Sequence, residues 1–245
     1  MRGLSQLIAA EYLKLRTTRT FLLLAGVTLG LMGLVALGVS AATDLETEDD
    51  LRAALSTVVG GIMALVLAVV GTAGEYRHGT ITGAFLVTPE RRRVVLAKVL
   101  AYGLAGAALG LASEVAVASV TGLWHATSDA PSTLAARDIA GIFAGSAAYW
   151  AFMAMLGVAL GLLLRNQAAA VVLAVLFLLL VQPTVAALAS DVARYLPTAA
   201  AGAVASDPNA DTDLLSPVAG ATVALAWVAL LVSAGAYVTE RRDVT

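Results

Sequence analysis

The stretch EYRHGTITGAFLVTPERRRVVLAK, residues 75–98, decides the fold of this chain. It carries five of the fifteen Lys and Arg residues and lies between two long apolar runs. Residues 81–87 within it are apolar, but they are too few to cross a bilayer, which takes about 20 residues. The stretch therefore predicts a charged loop, with a short surface helix, between two membrane spans.

The composition supports a membrane protein. The 245 residues are 60% hydrophobic and 13% charged, with a mean hydropathy of +0.88, whereas about one quarter of a soluble domain is charged. There is no Cys, which excludes disulfides, thiol catalysis and thiolate metal sites. The sequence predicts an all-α, polytopic membrane protein that forms a single transmembrane domain over residues 1–245.

Six apolar runs are long enough to span a membrane. Each must form a helix, because backbone groups in lipid have to be hydrogen-bonded within their own segment. Glu114 is the only charged residue inside any of them. The predicted spans are residues 20–43, 53–74, 99–123, 139–164, 166–190 and 214–239.

Residues 4–19 precede the first span and predict an amphipathic helix lying on the membrane surface. Their apolar residues recur at helical spacing. Glu11 interrupts this apolar stripe. It either pairs with Lys14 one turn away, or meets a basic group of residues 91–93 or of a partner protein. The apolar face consists of Leu4, Leu7, Ile8, Tyr12 and Leu15.

The basic residues predict the orientation. With both termini in the cytoplasm, twelve Lys and Arg residues lie inside and only Arg52, Arg137 and Arg194 lie outside, as the positive-inside rule requires. We therefore expect a multi-pass protein of the cell membrane with cytoplasmic termini. In the last outer loop, residues 197–206 predict a short helix that dips back into the membrane, with an extended linker as the alternative.

Local signals divide the cytoplasmic loop. Gly79-Thr80 predicts a break followed by a cap, so that a short helix begins near residue 81. Thr88-Pro89-Glu90 is typical of a helix start, with a cap, a first-turn proline and an acid at the positive helix end. Residues 91–93 would then lie at the level of the lipid head groups.

Two motifs carry a resemblance to a known family. EYLKLRT at residues 11–17, followed by RT at 19–20, resembles the start of permeases of the type-2 superfamily of ATP-binding-cassette (ABC) transporters. EYRHGTIT at residues 75–82, followed by TP at 88–89, a basic run and Lys98, resembles the same family. The chain is most similar to its small six-span members linked with drug export, bacteriocin immunity and sodium efflux.

The resemblance implies two contacts with a separate ABC ATPase subunit. Glu11 and Lys14 would belong to an N-terminal interface helix. Glu75, Arg77, Gly79 and Thr80 would belong to a coupling element that precedes a short cytoplasmic coupling helix. The family also has a short re-entrant outer helix, at residues 197–206 here. The chain has no large outer domain, which favours export of a small or amphipathic substrate such as a drug, a peptide or an ion.

Other features bear on the partners. The chain contains no phosphate-binding loop of the form GxxxxGK(S/T), so we expect ATP and Mg²⁺ to bind the partner ATPase and no catalytic residue or cofactor here. Six spans make half of a conventional pathway, which predicts a homo- or heterodimer of permease subunits and no nucleic-acid partner. His78 and His125 fall on opposite sides of the membrane, so no metal site is predicted.

Two residues within spans are candidates for the translocation path. A carboxylate at membrane depth is costly unless it is protonated or paired, so Glu114 either faces the path or bonds to a neighbouring helix through Ser146 or Tyr149. Gln182 precedes Pro183, which kinks a helix, and either lines the path or bonds across helices. Two other functions remain open: a gradient-driven carrier or channel that uses Glu114, and a non-transporting immunity or scaffold protein.

Overall fold

A computed structural model describes residues 3–43, 45–56, 58–88, 90–127, 133–205 and 214–241. Over these residues the regular structure is helical throughout, without strands. Five helical segments are long and apolar enough to cross a membrane, which confirms the predicted class of helical membrane protein. They are Arg19–Ala42, Arg91–Ala126, Ala136–Leu164, Gln167–Leu188 and Pro217–Thr239.

The described residues of the first half of the chain form six α-helices and one 3-10 turn. These are α1 (Leu4–Thr17), α2 (Arg19–Ala42), α3 (Glu48–Ala54), the 3-10 turn Val58–Gly60, α4 (Gly61–Arg77), α5 (Thr80–Val87) and α6 (Arg91–Ala126). α1 and α5 coincide in position with the predicted surface segments. α6 runs without a break through the arginine-rich segment and the third predicted span, as one helix of 36 residues.

The described residues of the second half form two long helices with a series of short ones between them. These are α7 (Ala136–Leu164), α8 (Gln167–Leu176), the π-helical turn Phe177–Val181, α9 (Gln182–Leu188), α10 (Ser190–Ala193), α11 (Pro197–Ala205) and α12 (Pro217–Arg241). α8, the π-helical turn and α9 follow one another directly and together cover the fifth predicted span. Pro89 and residues 206–213 of the last predicted outer loop lie outside the described residues.

The second predicted span, residues 53–74, is not one helix. α3 ends at Ala54, and the helical backbone resumes only at the 3-10 turn and α4, which continues three residues beyond the predicted end. α3 begins earlier because Thr47 and Asp50 form a capping box at its start. The Gly60-Gly61 pair disfavours a continuous helix, since each glycine destabilises a helix interior by about 1 kcal/mol relative to alanine.

α4, α6 and α7 form the core through close backbone contacts. A Cβ placed on Gly157 of α7 would lie 2.3 Å from the Leu65 carbonyl oxygen of α4. A Cβ on Gly106 of α6 would lie 2.6 Å from the Trp150 carbonyl oxygen of α7. Only glycine permits these approaches, so these glycines allow close packing of the three helices.

α11 is a helix rather than an extended linker, and it is inserted between α7 and α12. A Cβ on Gly145 of α7 would lie 2.8 Å from the Ala205 Cα atom, and one on Gly220 of α12 would lie 2.7 Å from the Ala200 carbonyl oxygen. Gly145 is nine residues inside α7, roughly 14 Å along its axis. α11 therefore packs well below the end of α7.

Candidate functional site

Four charged side chains meet where α1 crosses the end of α4 and the beginning of α6. Lys98 Nζ lies 2.6 Å from Glu11 Oε2 and 2.8 Å from Glu75 Oε1. Lys14 Nζ lies 2.5 Å from Glu11 Oε1 and 3.3 Å from Glu75 Oε1. We call Glu11, Lys14, Glu75 and Lys98 the ion cluster.

Helical spacing brings these side chains inward. Leu7, Glu11 and Leu15 are the buried residues of α1, one turn apart on the face that packs on α6. Lys98 lies seven residues into α6 and is 1% exposed, although it is a lysine. A buried ammonium group has to be paired, and Lys98 has two carboxylates within hydrogen-bond distance.

The cluster contains two positive and two negative side chains, so its formal charge is zero. Burial alone would raise the pKa of Glu11 by disfavouring its charged form, but the opposite charges and hydrogen bonds of Lys98 and Lys14 outweigh it and lower that pKa below 4.5. Glu11 is therefore ionised at neutral pH. Removing one partner would leave an unpaired buried charge, which is strongly unfavourable.

The structure answers the question that the sequence left open about Glu11. Its carboxylate pairs with Lys14, as the local alternative expects, and also with a distant basic group. That distant group is Lys98 rather than residues 91–93. Arg91 donates instead to the Thr239 carbonyl oxygen of α12 at 2.6 Å and stacks over Phe85.

Sequence reasoning did not single out Lys98. Two signals were present: Lys98 is one of only two lysines, and it follows the apolar residues Val94 and Val95 in a helix. Lys98 next to apolar residues and Glu11 in an apolar stripe carry opposite charges, and each needs a partner when it is buried. Nothing in the local sequence pattern pairs them, because the two residues are 87 positions apart.

Arg77, Gly79 and Thr80 lie on a surface turn beside the ion cluster. All three are exposed, as is His78 between them. Gly79 has φ +67, the left-handed conformation that favours glycine, and it separates α4 from α5. α5 then presents Leu86, which is 79% exposed, and Val87.

The six residues predicted to dock on an ATPase thus divide into two sets. Arg77, Gly79 and Thr80 offer an exposed surface. Glu11 is buried in the ion cluster and Glu75 is partly buried there, with side chains 7% and 13% exposed, and Lys14 is half-exposed at its edge. The buried carboxylates can influence a docked partner only through the helices that they hold together.

Glu114 has no exposed surface. It follows Gly110 by one turn of α6. A Cβ placed on Gly110 would lie 2.7 Å from the Trp150 side chain of α7. Ser146, one turn before Trp150, is also buried. Antiparallel packing places Glu114 and Ser146 at similar depth, so in this conformation Glu114 lies inside the helix bundle.

Gln182 bonds across helices. Its side-chain oxygen accepts a short hydrogen bond from the Thr198 hydroxyl of α11. Gln182 follows the π-helical turn, where its N–H donates to the Phe177 carbonyl oxygen rather than to the usual acceptor four residues back. Gln182 therefore fixes the inserted helix α11 to the fifth apolar segment.

Neither a metal site nor a similarity to a known protein indicates the function. Among the described residues no group of three or more His, Cys, Asp or Glu side chains is arranged to hold a metal ion. The chain matches no protein-family model and no curated protein. Its function therefore has to be argued from the helices, the ion cluster and the exposed turn.

Proposed function

We propose that this chain is the permease subunit of a type-2 ABC transporter and works with a separate ATPase subunit. The ion cluster is the observation that supports this most. It joins α1 and the end of α4, the two segments whose motifs resemble ATPase-contacting elements, to the longest helix, α6. A force applied at α1 or at the exposed turn of residues 77–80 would pass directly to α6.

The proposed topology has six spans: the five long apolar segments and α4, which is the second span in chain order. α4 contains 17 residues, which give about 26 Å of helix. The preceding 3-10 turn adds about 6 Å, so the pair covers the roughly 30 Å of hydrocarbon in a bilayer. Five segments that could span, together with α4, would return the C-terminus to the side of the N-terminus.

The ion cluster would lie on the cytoplasmic side of the cell membrane. The same end of the bundle holds Arg91, Arg77 and Arg165, and Arg165 donates to the Val238 carbonyl oxygen of α12 at 3.0 Å. The opposite end pairs Arg52 with Asp138 and contains the acidic first turn of α3. A basic end faces the cytoplasm in most membrane proteins.

Two permease subunits, identical or different, would assemble with two ATPases that bind ATP and Mg²⁺. Three apolar segments bury few of their residues in the single chain: within an apolar 18-residue stretch of each, 17% of the residues are buried in Arg19–Ala42, 6% in Gln167–Leu188 and 22% in Pro217–Thr239. Such surfaces suit lipid and a second permease subunit. The substrate would be small or amphipathic and would be exported.

The competing carrier function depends on Glu114. A gradient-driven carrier needs an ionisable group that its ion can reach. Glu114 lies in α6 and is fully buried, which favours a transporter driven by a partner. A carrier would still be the better assignment if transport followed the proton or sodium gradient and ceased in Glu114→Gln.

Co-purification tests the proposal. The tagged chain is expressed with a candidate ABC ATPase subunit, and bound ATPase and ATP-dependent transport are measured. Arg77→Glu should weaken ATPase binding about tenfold, because it reverses a charge at the docking surface. Arg137→Glu, an exposed arginine at the other end of the bundle, is the matched control.

Three results are distinguishable. Loss of the ATPase in Arg77→Glu alone supports the docking surface. Equal binding by both variants, with transport intact, would show that the turn is not the docking site. A wild-type chain that never retains an ATPase, yet transports along an ion gradient, would overturn the proposed function.

A further inference from the structure

A cleft opens beside the ion cluster, between the beginning of α2, the second half of α4 and the beginning of α8. It has a volume of about 670 Å³, within the range that accommodates a small ligand or part of a lipid. It is open on one side rather than sealed. A molecule outside the protein can therefore enter it.

The walls of the cleft are divided by polarity. One half is apolar and is formed by Phe21, Leu24, Leu67 and Val70. The other half contains Lys14, Glu75, Gln167 and several Thr hydroxyl groups. Because Leu67 and Val70 precede Glu75 in α4, the apolar half lies deeper in the bundle and the polar half lies at its basic end.

Glu75 has one carboxylate oxygen to spare. Oε1 accepts from Lys98 and Lys14, whereas Oε2 is buried without a hydrogen-bond partner in the protein. A buried acceptor of this kind favours a ligand that brings a donor. The carboxylate charge favours a donor that is itself positively charged.

Lys14 supplies the complementary group. Its side chain is 47% exposed, and its contact with Glu75 is the longest in the ion cluster, at 3.3 Å. Its ammonium group retains a free side from which it can donate to a phosphate. Since the ion cluster has no net charge, a zwitterion fits the polar half better than a pure anion or a pure cation.

We propose that the cleft binds one phospholipid whose head group carries a primary ammonium beside its phosphate. The Glu75 side chain turns so that Oε2, which is covered in the structure described, accepts from the ammonium, and the phosphate accepts from Lys14 Nζ. One acyl chain lies along Phe21, Leu24 and Val70. The bound lipid would connect the beginning of α2 with α4, at the place where α1 joins the bundle.

Lipids with matched acyl chains and different head groups test the site. The purified chain is titrated with phosphatidylethanolamine, phosphatidylcholine or phosphatidylglycerol, and bound lipid is counted by native mass spectrometry. Phosphatidylcholine carries the same charges but has no N–H donor, and phosphatidylglycerol has no ammonium. Phosphatidylethanolamine should bind about tenfold more tightly than either, which corresponds to one charge-assisted hydrogen bond.

Two variants locate the site. Val70→Trp fills the apolar half and leaves Lys14 and Glu75 unchanged, so it should abolish the preferred binding. Leu104→Trp adds the same side chain to the exposed surface of α6 and should bind lipid as the wild type does. Glu75→Gln should remove the preference for phosphatidylethanolamine over phosphatidylcholine.

Other results would contradict the proposal. Equal binding of the three lipids, or unchanged binding by Val70→Trp, would show that no selective lipid site exists in the cleft. If phosphatidylglycerol bound most tightly, the cleft would be an anion site at Lys14 and would not recognise an ammonium group. These assays contain no ATPase, so their outcome is independent of whether the chain is a permease.

Discussion

Lys98 Nζ donates to Glu11 Oε2 over 2.6 Å, although the two residues are 87 positions apart. Lys98 is 1% exposed and Glu11 is 5% exposed. The pair links the first helix of the chain to the longest one at a point from which water is almost excluded. Each buried charge needs the other as its partner. An ion pair therefore holds α1 to the bundle in addition to apolar packing.

Lys98→Ala should destabilise the protein by about 3–5 kcal/mol, since it removes the buried cation and leaves the half-exposed Lys14 as the remaining cationic partner of the Glu11 and Glu75 carboxylates in the ion cluster. The free energy of unfolding in detergent and urea measures this effect. Lys14→Ala is the control. It removes a half-exposed partner and should destabilise by less than about 1 kcal/mol.

The triple variant Glu11→Gln, Glu75→Gln, Lys98→Met should recover much of the lost stability, because no buried charge remains. Equal stability of Lys98→Ala and Lys14→Ala would show that the ion cluster contributes little. A triple variant as unstable as Lys98→Ala would show instead that the packing around Lys98 is what matters.

Glu11→Gln tests the pH dependence. The pKa of Glu11 is lowered in the folded protein, so the folded state binds fewer protons at this site than the unfolded state. Its stabilising contribution should be complete above pH 4.5 and should be lost as the pH falls through the lower folded pKa. Thermal unfolding of wild type and Glu11→Gln between pH 3 and about 7 should therefore converge only at the acid end. Curves that converge near neutral pH would contradict a lowered pKa.

Much of the architecture followed from apolar runs, because a bilayer imposes a minimum length that is visible in the sequence. The division of residues 53–74 did not follow. Hydropathy ignores that Gly60 and Gly61 weaken the helix, and that their Cα atoms face the Trp150 and Tyr149 side chains. Likewise, the sequence indicated Glu11 and Glu75 as separate site residues. The role of Lys98 as their common partner becomes apparent only when α1, α4 and α6 are placed side by side.

Gly79→Ala should destabilise the turn between α4 and α5 by about 1–2 kcal/mol, because φ +67 is unfavourable for a residue with a Cβ. Gly83→Ala is the matched control. Gly83 lies within α5 with no atom within 4 Å of its Cβ position, so alanine should stabilise that helix slightly. Hydrogen exchange of the amides in residues 80–87 should be faster in Gly79→Ala and slower in Gly83→Ala. Identical exchange in the two variants would show that the turn does not need glycine.

Gly157→Ala should destabilise the contact between α4 and α7 by about 1–3 kcal/mol, because the new methyl group would overlap the Leu65 carbonyl oxygen. Gly141→Ala, in the same helix with open space around its Cβ position, should leave stability unchanged or increase it. Melting temperatures of the two variants provide the comparison. A Gly157→Ala protein that melts with the wild type would contradict the close approach.

Thr198→Val should loosen α11, since it removes the hydroxyl that donates to Gln182 and keeps the shape of the side chain. The loss should be about 1 kcal/mol, and hydrogen exchange within residues 197–205 should become faster. Thr184→Val, at an exposed position of α9, is the control and should change neither property. Unaltered exchange in Thr198→Val would show that packing alone holds α11.

The glycine contacts between α4 and α7 have a mechanical consequence. Where a carbonyl oxygen of one helix nearly touches a Cα atom of its neighbour, the two backbones interlock and cannot slide past each other. With α1 pinned to α6 by Lys98, and α6 likewise interlocked with α7, these four helices form one rigid block. We therefore expect a conformational change to move this block as a unit relative to α2 and to α8 and α9.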